Sequence, residues 1–208
     1  MTTRLRISLC GLAVWTMALL GGAALASTEP PDALVKRTVE EVLQVIKQNP
    51  DRAALQQLAE QKVLPNFDFR EMTQLAVGAN WRKASPQQQA ALESGFRKLL
   101  VNIYTSSLAQ SGRPQGERTL EVKSLPPQAG KQDEATVKTV VKDPDGKRVA
   151  IDYRMASRGG QWKVYDVLVE GVSLVTNYRT SFDGEVNKGG VDGLIKALEQ
   201  KNRGTVKS

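Results

Sequence analysis

Along the first half of the chain, apolar side chains recur every three or four residues. After Asp32 the series Leu34, Val35, Val39, Val42, Leu43 and Ile46 forms one helical stripe, closed by Asn49-Pro50. Leu55, Leu58 and Ala59 predict a second helix that runs toward Val63-Leu64 and is stopped by Pro65. Asp68 is placed to cap a third, through Met72, Leu75 and Ala76, with Gly78 near its end. Ser85-Pro86-Gln87-Gln88 then supplies an N-cap, proline at N1 and glutamine at N3. The long helix it opens carries Leu92, Phe96, Leu99, Leu100, Ile103, Tyr104 and Leu108 as far as Ser111-Gly112.

From there the period drops to two. Leu120 and Val122 alternate with Glu121 and Lys123 up to Pro126-Pro127, and Val137, Thr139 and Val141 follow as a second strand. Asp143-Pro144-Asp145-Gly146 is turn chemistry, leading into Val149, Ile151, Tyr153 and Met155. Ser157-Arg158-Gly159-Gly160 turns the chain again into a strand from Gln161 to Val169. A helix from about Val172 and another from about Asp192 to Lys201, divided by Gly189-Gly190, close the pattern, and the tail from Arg203 to Ser208 is predicted to fray. Helices, then an antiparallel meander, then helices define an α+β fold in which a curved sheet is covered by helices.

The last strand breaks the usual half-buried pattern. Trp162, Val164 and Leu168 share one face with Asp166, while Tyr165, Val167 and Val169 share the other. A central strand buried on two faces satisfies this pattern, and so does a strand with helices on one side and a ligand cavity on the other.

Composition narrows the chemistry. Arg4 and Arg6, an apolar run from about Leu9 to Leu20 and the small-residue site Ala24-Leu25-Ala26 predict a secretory signal cleaved after Ala26. Cleavage removes Cys10, the sole cysteine of a sequence that has no histidine. Disulfides, Cys/His metal sites and Ser-His-Asp or Cys-His nucleophiles are thereby excluded from the mature chain. Loss of Arg4 and Arg6, with no acid lost, takes the formal charge from +7 to +5. The basic residues are scattered, so nucleic acid is not an expected partner, while anionic lipid or an acidic protein surface fits.

Several stretches carry a resemblance. Tyr165 and Asp166, Glu170-Gly171-Val172-Ser173 and Asn177-Tyr178-Arg179 followed by Phe182 form one of them. Others are Leu64-Pro65 before Phe67-Asp68-Phe69 and Met72, then Trp81, Ala84 and Ser85 before Gln89 and Phe96. Leu100, Tyr104 and Leu108 follow, and Gly190-Val191-Asp192-Gly193-Leu194-Ile195 comes near the end. In this order the set, from about Pro31 to Asn202, resembles the Mla-type periplasmic phospholipid-binding proteins, also called toluene-tolerance or organic-solvent-tolerance auxiliary proteins.

The resemblance implies a twisted antiparallel β-sheet, similar to nuclear-transport-factor-like domains, packed with N-terminal and C-terminal helices that enclose an apolar cavity. It implies one phospholipid-binding domain over 27–202, helical over 32–111, with strands over 117–170 and closing helices over 172–202. It further implies a periplasmic carrier of glycerophospholipid, maintaining outer-membrane asymmetry in a Gram-negative envelope. The partners implied are an outer-membrane lipoprotein–porin complex and an inner-membrane ABC transporter with a periplasmic lipid-binding domain. No cofactor beyond the phospholipid cargo is expected, and no catalytic residue.

On that reading Phe96, Leu100, Tyr104 and Leu108 on the long helix are the expected lipid contacts, facing Val137, Ile151, Tyr153, Val167 and Val169 on the sheet. Val172 and Val175 are expected to close one end. Asp166 and Ser173 are expected to be structural, Trp81 and Trp162 to be core anchors, and Arg179 is left open between facing solvent, bracing a loop, meeting a partner and contacting a phosphate. Two other readings remain open. One is an envelope adaptor binding a partner peptide or helix in an apolar groove. The other is a small carboxylate enzyme using Asp152 or Asp166 as base.

Overall fold

The computed structural model of the chain describes residues 29–48, 51–110, 116–125 and 131–205. The predicted signal segment, the stops at Asn49-Pro50, Ser111-Gly112 and Pro126-Pro127, and residues 206–208 of the tail lie outside the described residues.

Local capping accounts for where the helices begin. Helix α1, Pro31–Gln48, starts with proline at N1, where a missing N–H costs nothing. Helix α2, Arg52–Leu58, is capped by Asp51, whose carboxylate accepts from the Ala54 N–H at 2.8 Å. The chain then passes through a wide π-helical turn, Ala59–Val63, and a tight 3-10 turn, Leu64–Asn66, that holds Pro65. Helix α3, Phe69–Val77, is capped by Asp68, which accepts from the Glu71 N–H at 2.9 Å. It stops at Gly78, whose φ of 62° suits a residue without Cβ. Helix α4, Pro86–Gln110, opens on a reciprocal capping box: Gln88 N–H donates to Ser85 Oγ at 3.2 Å and Ser85 N–H to Gln88 Oε1 at 2.9 Å.

Five strands follow: β1 Thr119–Leu125, β2 Glu134–Lys142, β3 Arg148–Arg158, β4 Gln161–Val169 and β5 Val172–Ser173. They lie in sequence order, each antiparallel to its neighbour, so the sheet is an open meander. The α+β architecture with an antiparallel sheet between N-terminal and C-terminal helices is the one the sequence predicts.

Three local features differ from the sequence reading. First, Val172 does not begin a helix. Glu170 and Gly171, at φ 50° and 79°, make a tight turn that folds Val172–Ser173 back onto β4 as a short edge strand. Glu170 tolerates this conformation because it is held twice: its N–H donates to the Ala150 carbonyl at 2.9 Å and its carboxylate accepts from the Ala150 N–H. Secondly, β4 carries a bulge. Arg154 pairs with Asp166 but Met155 pairs with Val164, which leaves Tyr165 as the extra residue. Thirdly, helix α5, Leu174–Thr205, runs past the predicted fraying point at Arg203. The kink where Gly189 and Gly190 leave helical geometry is, by contrast, the division that the sequence predicts.

The core has two parts. One is helical: Phe96 packs edge-on against Tyr178 and Phe182, with centroids 5.1 and 5.2 Å apart, beside buried Trp81, Leu92, Leu194 and Leu198. Gly95 lets α4 approach α5 closely here, since a Cβ would stand 3.2 Å from Leu198 Cβ. The second part joins α1 to the sheet through Leu34, Val35, Val137, Met155, Val164 and Val167.

Candidate functional site

Between the sheet and helices α1, α2 and α4 lies a cavity of about 450 Å³. Its floor is one face of the sheet: Val141 of β2, then Val149, Ile151, Tyr153 and Met155 at alternate positions of β3. Helix α1 forms one wall with Leu34, Val35, Val39, Val42, Leu43 and Ile46, and α2 with its following turn adds Leu55, Leu58, Val63 and Leu64. Helix α4 covers the top with Leu100, Val101, Tyr104 and Leu108, and Phe67, Phe69, Met72 and Leu174 complete the lining with others.

The bulge in β4 answers the question that its sequence raises. Strict alternation would point Val164 and Val167 to opposite faces. With Tyr165 bulged, Val164, Val167 and Val169 instead stand opposite Met155, Tyr153 and Ile151, and all three line the cavity. The opposite face keeps Asp166, which is 3% exposed and fully engaged. Its Oδ2 accepts from Ser173 Oγ–H at 2.8 Å and from Arg154 Nη1 at 3.3 Å, and its Oδ1 accepts from the Val175 N–H at 3.3 Å. Ser173 Oγ in turn accepts from the Thr176 N–H at 3.0 Å and caps α5. Asp166 and Ser173 are thus structural: they tie the start of α5 to the sheet and leave Asp166 no free role in acid–base work.

Of the eleven residues expected from the sequence to touch a ligand, seven line the cavity: Leu100, Tyr104, Leu108, Ile151, Tyr153, Val167 and Val169. Four do not. Phe96 is wholly buried among the aromatic rings of α5, because its helical position turns it toward that helix and away from the sheet. Val175 belongs to the same helical core. Val137 is fully buried in the cluster that includes Leu34 and Val35. Val172, displaced onto β5 by the Glu170-Gly171 turn, is 59% exposed. The contribution that sequence reasoning missed is helix α1. Its apolar stripe is legible, but a stripe alone reads as ordinary core; Val39, Val42 and Leu43 are only half-buried because they border the cavity.

Arg179 is a brace. Its guanidinium donates from Nε to the Leu75 carbonyl at 3.0 Å, and from Nη2 to the same oxygen, satisfying one of the last-turn carbonyls of α3. Replacing it with methionine should cost roughly 1 kcal/mol of stability and leave ligand uptake unchanged. A denaturant melt beside a binding titration checks both. Loss of binding at unchanged stability would restore the phosphate-contact reading.

The polar groups around the cavity are few. Thr38 donates to the Leu34 carbonyl at 2.7 Å, Asn66 donates to Thr38 Oγ1 at 3.2 Å and to the Lys62 carbonyl at 2.9 Å, and Thr105 donates to the Val101 carbonyl at 2.7 Å. Arg118 and Asp143 pair with each other, Nε to Oδ1 at 2.5 Å. Burial pushes the Tyr153 hydroxyl up to about 12, against a smaller opposing effect of its hydrogen bond with Thr139. Tyr104 is also raised to about 12, by burial first and Tyr178 second. Both tyrosines of the cavity therefore stay uncharged at any physiological pH.

A raised tyrosine pKa means that the folded state holds the proton more tightly than the unfolded one. Tyr153's contribution is intact below about pH 10 and is lost as pH rises toward its folded value of about 12. Stability should fall over that window, and Tyr153→Phe should flatten the fall, as measured by melts between about pH 9 and about pH 12. Among the described residues no group of three or more Asp, Glu, His or Cys side chains is arranged to hold a metal ion, and no helix is long and apolar enough to cross a membrane.

An open antiparallel sheet, one face of which and its covering helices line a ligand-sized apolar cavity, defines the class: an α+β domain built around an internal apolar site. The family model described as MlaC protein matches residues 36–200, and the chain belongs to that family. Among its relatives, the intermembrane phospholipid transport system binding protein MlaC of Haemophilus influenzae is 22% identical over 195 residues, spanning 90% of this chain and 88% of that one. The toluene tolerance protein ttg2D of Pseudomonas putida is 27% identical over 118 residues, 57% of this chain and 52% of that protein. The phospholipid-binding protein from Ralstonia solanacearum, solved in complex with a phospholipid, shares the fold with a TM-score of 0.74 and 33% identity, covering 84% of this chain and 98% of its own.

Proposed function

We propose that the chain is a periplasmic phospholipid carrier, exported by cleavage after Ala26, whose domain over 27–202 holds the acyl chains of a glycerophospholipid. The observation that carries this reading is the cavity itself: about 450 Å³, lined by aliphatic and aromatic side chains from helices and strands alike. Exposing a methylene to water costs about 0.8 kcal/mol, so two acyl chains of about 16 carbons cost on the order of 20 kcal/mol. A lipid leaves a bilayer at a useful rate only if something replaces most of that contact on the way. Leu100, Tyr104, Leu108, Ile151, Tyr153, Val167 and Val169, with the α1 stripe, would supply it.

No catalytic group is needed for this task, so the protein is a carrier and not an enzyme. The phospholipid transport system of the Haemophilus relative and the phospholipid bound by the Ralstonia protein support phospholipid as the cargo. A carrier moving between two membranes needs a donor and an acceptor. An outer-membrane lipoprotein–porin complex and an inner-membrane ABC transporter with a periplasmic lipid-binding domain fill those places. In this way the carrier would maintain outer-membrane lipid asymmetry and with it tolerance of organic solvents.

The test is transfer. Delipidated protein incubated with vesicles holding a labelled phospholipid, separated and then mixed with unlabelled vesicles should deliver one lipid equivalent per cycle. A protein that takes up no lipid but retains a peptide or helix from envelope proteins would replace the carrier by the adaptor.

A further inference from the structure

Arg118 and Asp143 are the only charged side chains among the described residues that line the cavity. Arg118 immediately precedes β1 and Asp143 immediately follows β2, and the pairing of Thr119 with Lys142 sets them side by side at one end of the sheet. Their side chains are 17% and 24% exposed. They can therefore be reached from solvent, yet are dry enough for charge to count for more than in an open surface pair. Asp143 is fixed by its turn: its N–H donates to the Lys147 carbonyl at 2.8 Å and its carbonyl accepts from the Gly146 N–H at 2.9 Å. The hydroxyls of Thr38 and Thr105 and the amide of Asn66 are committed to bonds within the protein.

Resting on the carrier reading, we infer that this pair is the headgroup subsite of the cavity, and that it selects zwitterionic glycerophospholipids. Arg118 turns its Nε toward Asp143, and a guanidinium has five N–H donors, so further donors in the same plane suit the oxygens of a phosphodiester. Asp143 has a second carboxylate oxygen with which to meet an ammonium. A headgroup that carries phosphate and ammonium together meets both charges of the pair. One that carries only negative charge satisfies Arg118 but leaves Asp143 opposed. A diacylglycerol, with the same tails and no phosphate, gains nothing from either residue.

The test loads delipidated full-length protein from vesicles containing phosphatidylethanolamine, phosphatidylglycerol and diacylglycerol with identical acyl chains, and counts what is extracted with it. The wild type should favour the ethanolamine lipid over the glycerol lipid, and both over diacylglycerol. Arg118→Gln should lower loading of both phospholipids about tenfold, the scale of a charge-assisted phosphate contact, while diacylglycerol loading stays the same. Asp143→Asn should abolish the preference for the ethanolamine lipid. A double exchange, Arg118→Asp with Asp143→Arg, keeps an ion pair and serves if a single variant does not fold; it should retain diacylglycerol loading and alter headgroup preference. Equal loading of all three lipids by the wild type, or unchanged preferences in the folded variants, overturns the subsite and leaves the carrier standing. Failure of the wild type to load any of the three overturns the carrier reading itself.

Discussion

Val169→Glu should leave the protein folded and without lipid. Val169 is half-buried on the cavity floor, opposite Ile151, so a carboxylate there stands among aliphatic side chains. A charge facing acyl chains can be neither hydrated nor paired, and the penalty is several kcal/mol even after relaxation. Lipid occupancy should fall by roughly 100-fold or more, since each 1.4 kcal/mol is about a factor of ten. When no lipid is bound, the carboxylate can reach water through the half-exposed position, so the melt should shift by only a few degrees. Val169→Ala, which keeps the surface apolar, should load nearly as well as the wild type. Retention of lipid by the glutamate variant would mean that the tails lie elsewhere.

Asp166→Ala should have the largest effect on stability. It removes a buried carboxylate that accepts from Ser173, Arg154 and the Val175 N–H. Arg154 is 46% exposed and can turn to solvent, but Ser173 and the Val175 N–H lose their partner at the start of α5. Truncating a buried charged partner typically costs about 3 kcal/mol or more. For a domain of this size that is a loss of roughly 6–12 °C in Tm. Hydrogen exchange should rise first in the opening turn of α5 and in β5. Asp166→Asn, which retains acceptor capacity on one oxygen, should lose about half as much. A melt of Asp166→Ala within a degree of wild type would show that the network is dispensable.

Helices and strands are readable because their signals are local. The Ser85/Gln88 box, Asp68 and Gly78 each act within four residues, and the observed ends fall where they place them. What eludes the pattern depends on partners distant in sequence. The bulge at Tyr165 is defined only by the register of β4 against β3, and one extra residue moves Val164 to the same face as Val167. The β5 strand is two residues long and owes its existence to the Glu170-Gly171 turn and the Ala150 backbone.

For the same reason the helical stripe on α4 overreaches. Phe96 and Leu100 share a face in a helical projection and the same helical core, but the packing of α5 against α4 encloses Phe96 wholly, whereas Leu100 also reaches the cavity. Hydrophobic period tells which side chains avoid water and not whether protein or ligand receives them. The half-buried Val39, Val42 and Leu43 of α1 show that distinction only in three dimensions.

The most direct measurement is the mass of the protein as the cell makes it. The mature chain, expected to begin at Ser27, is purified from the periplasm without detergent and weighed first under native and then under denaturing conditions. A stoichiometric adduct that becomes free glycerophospholipid on denaturation is the predicted result. A bare protein that also takes up no lipid from vesicles would contradict it.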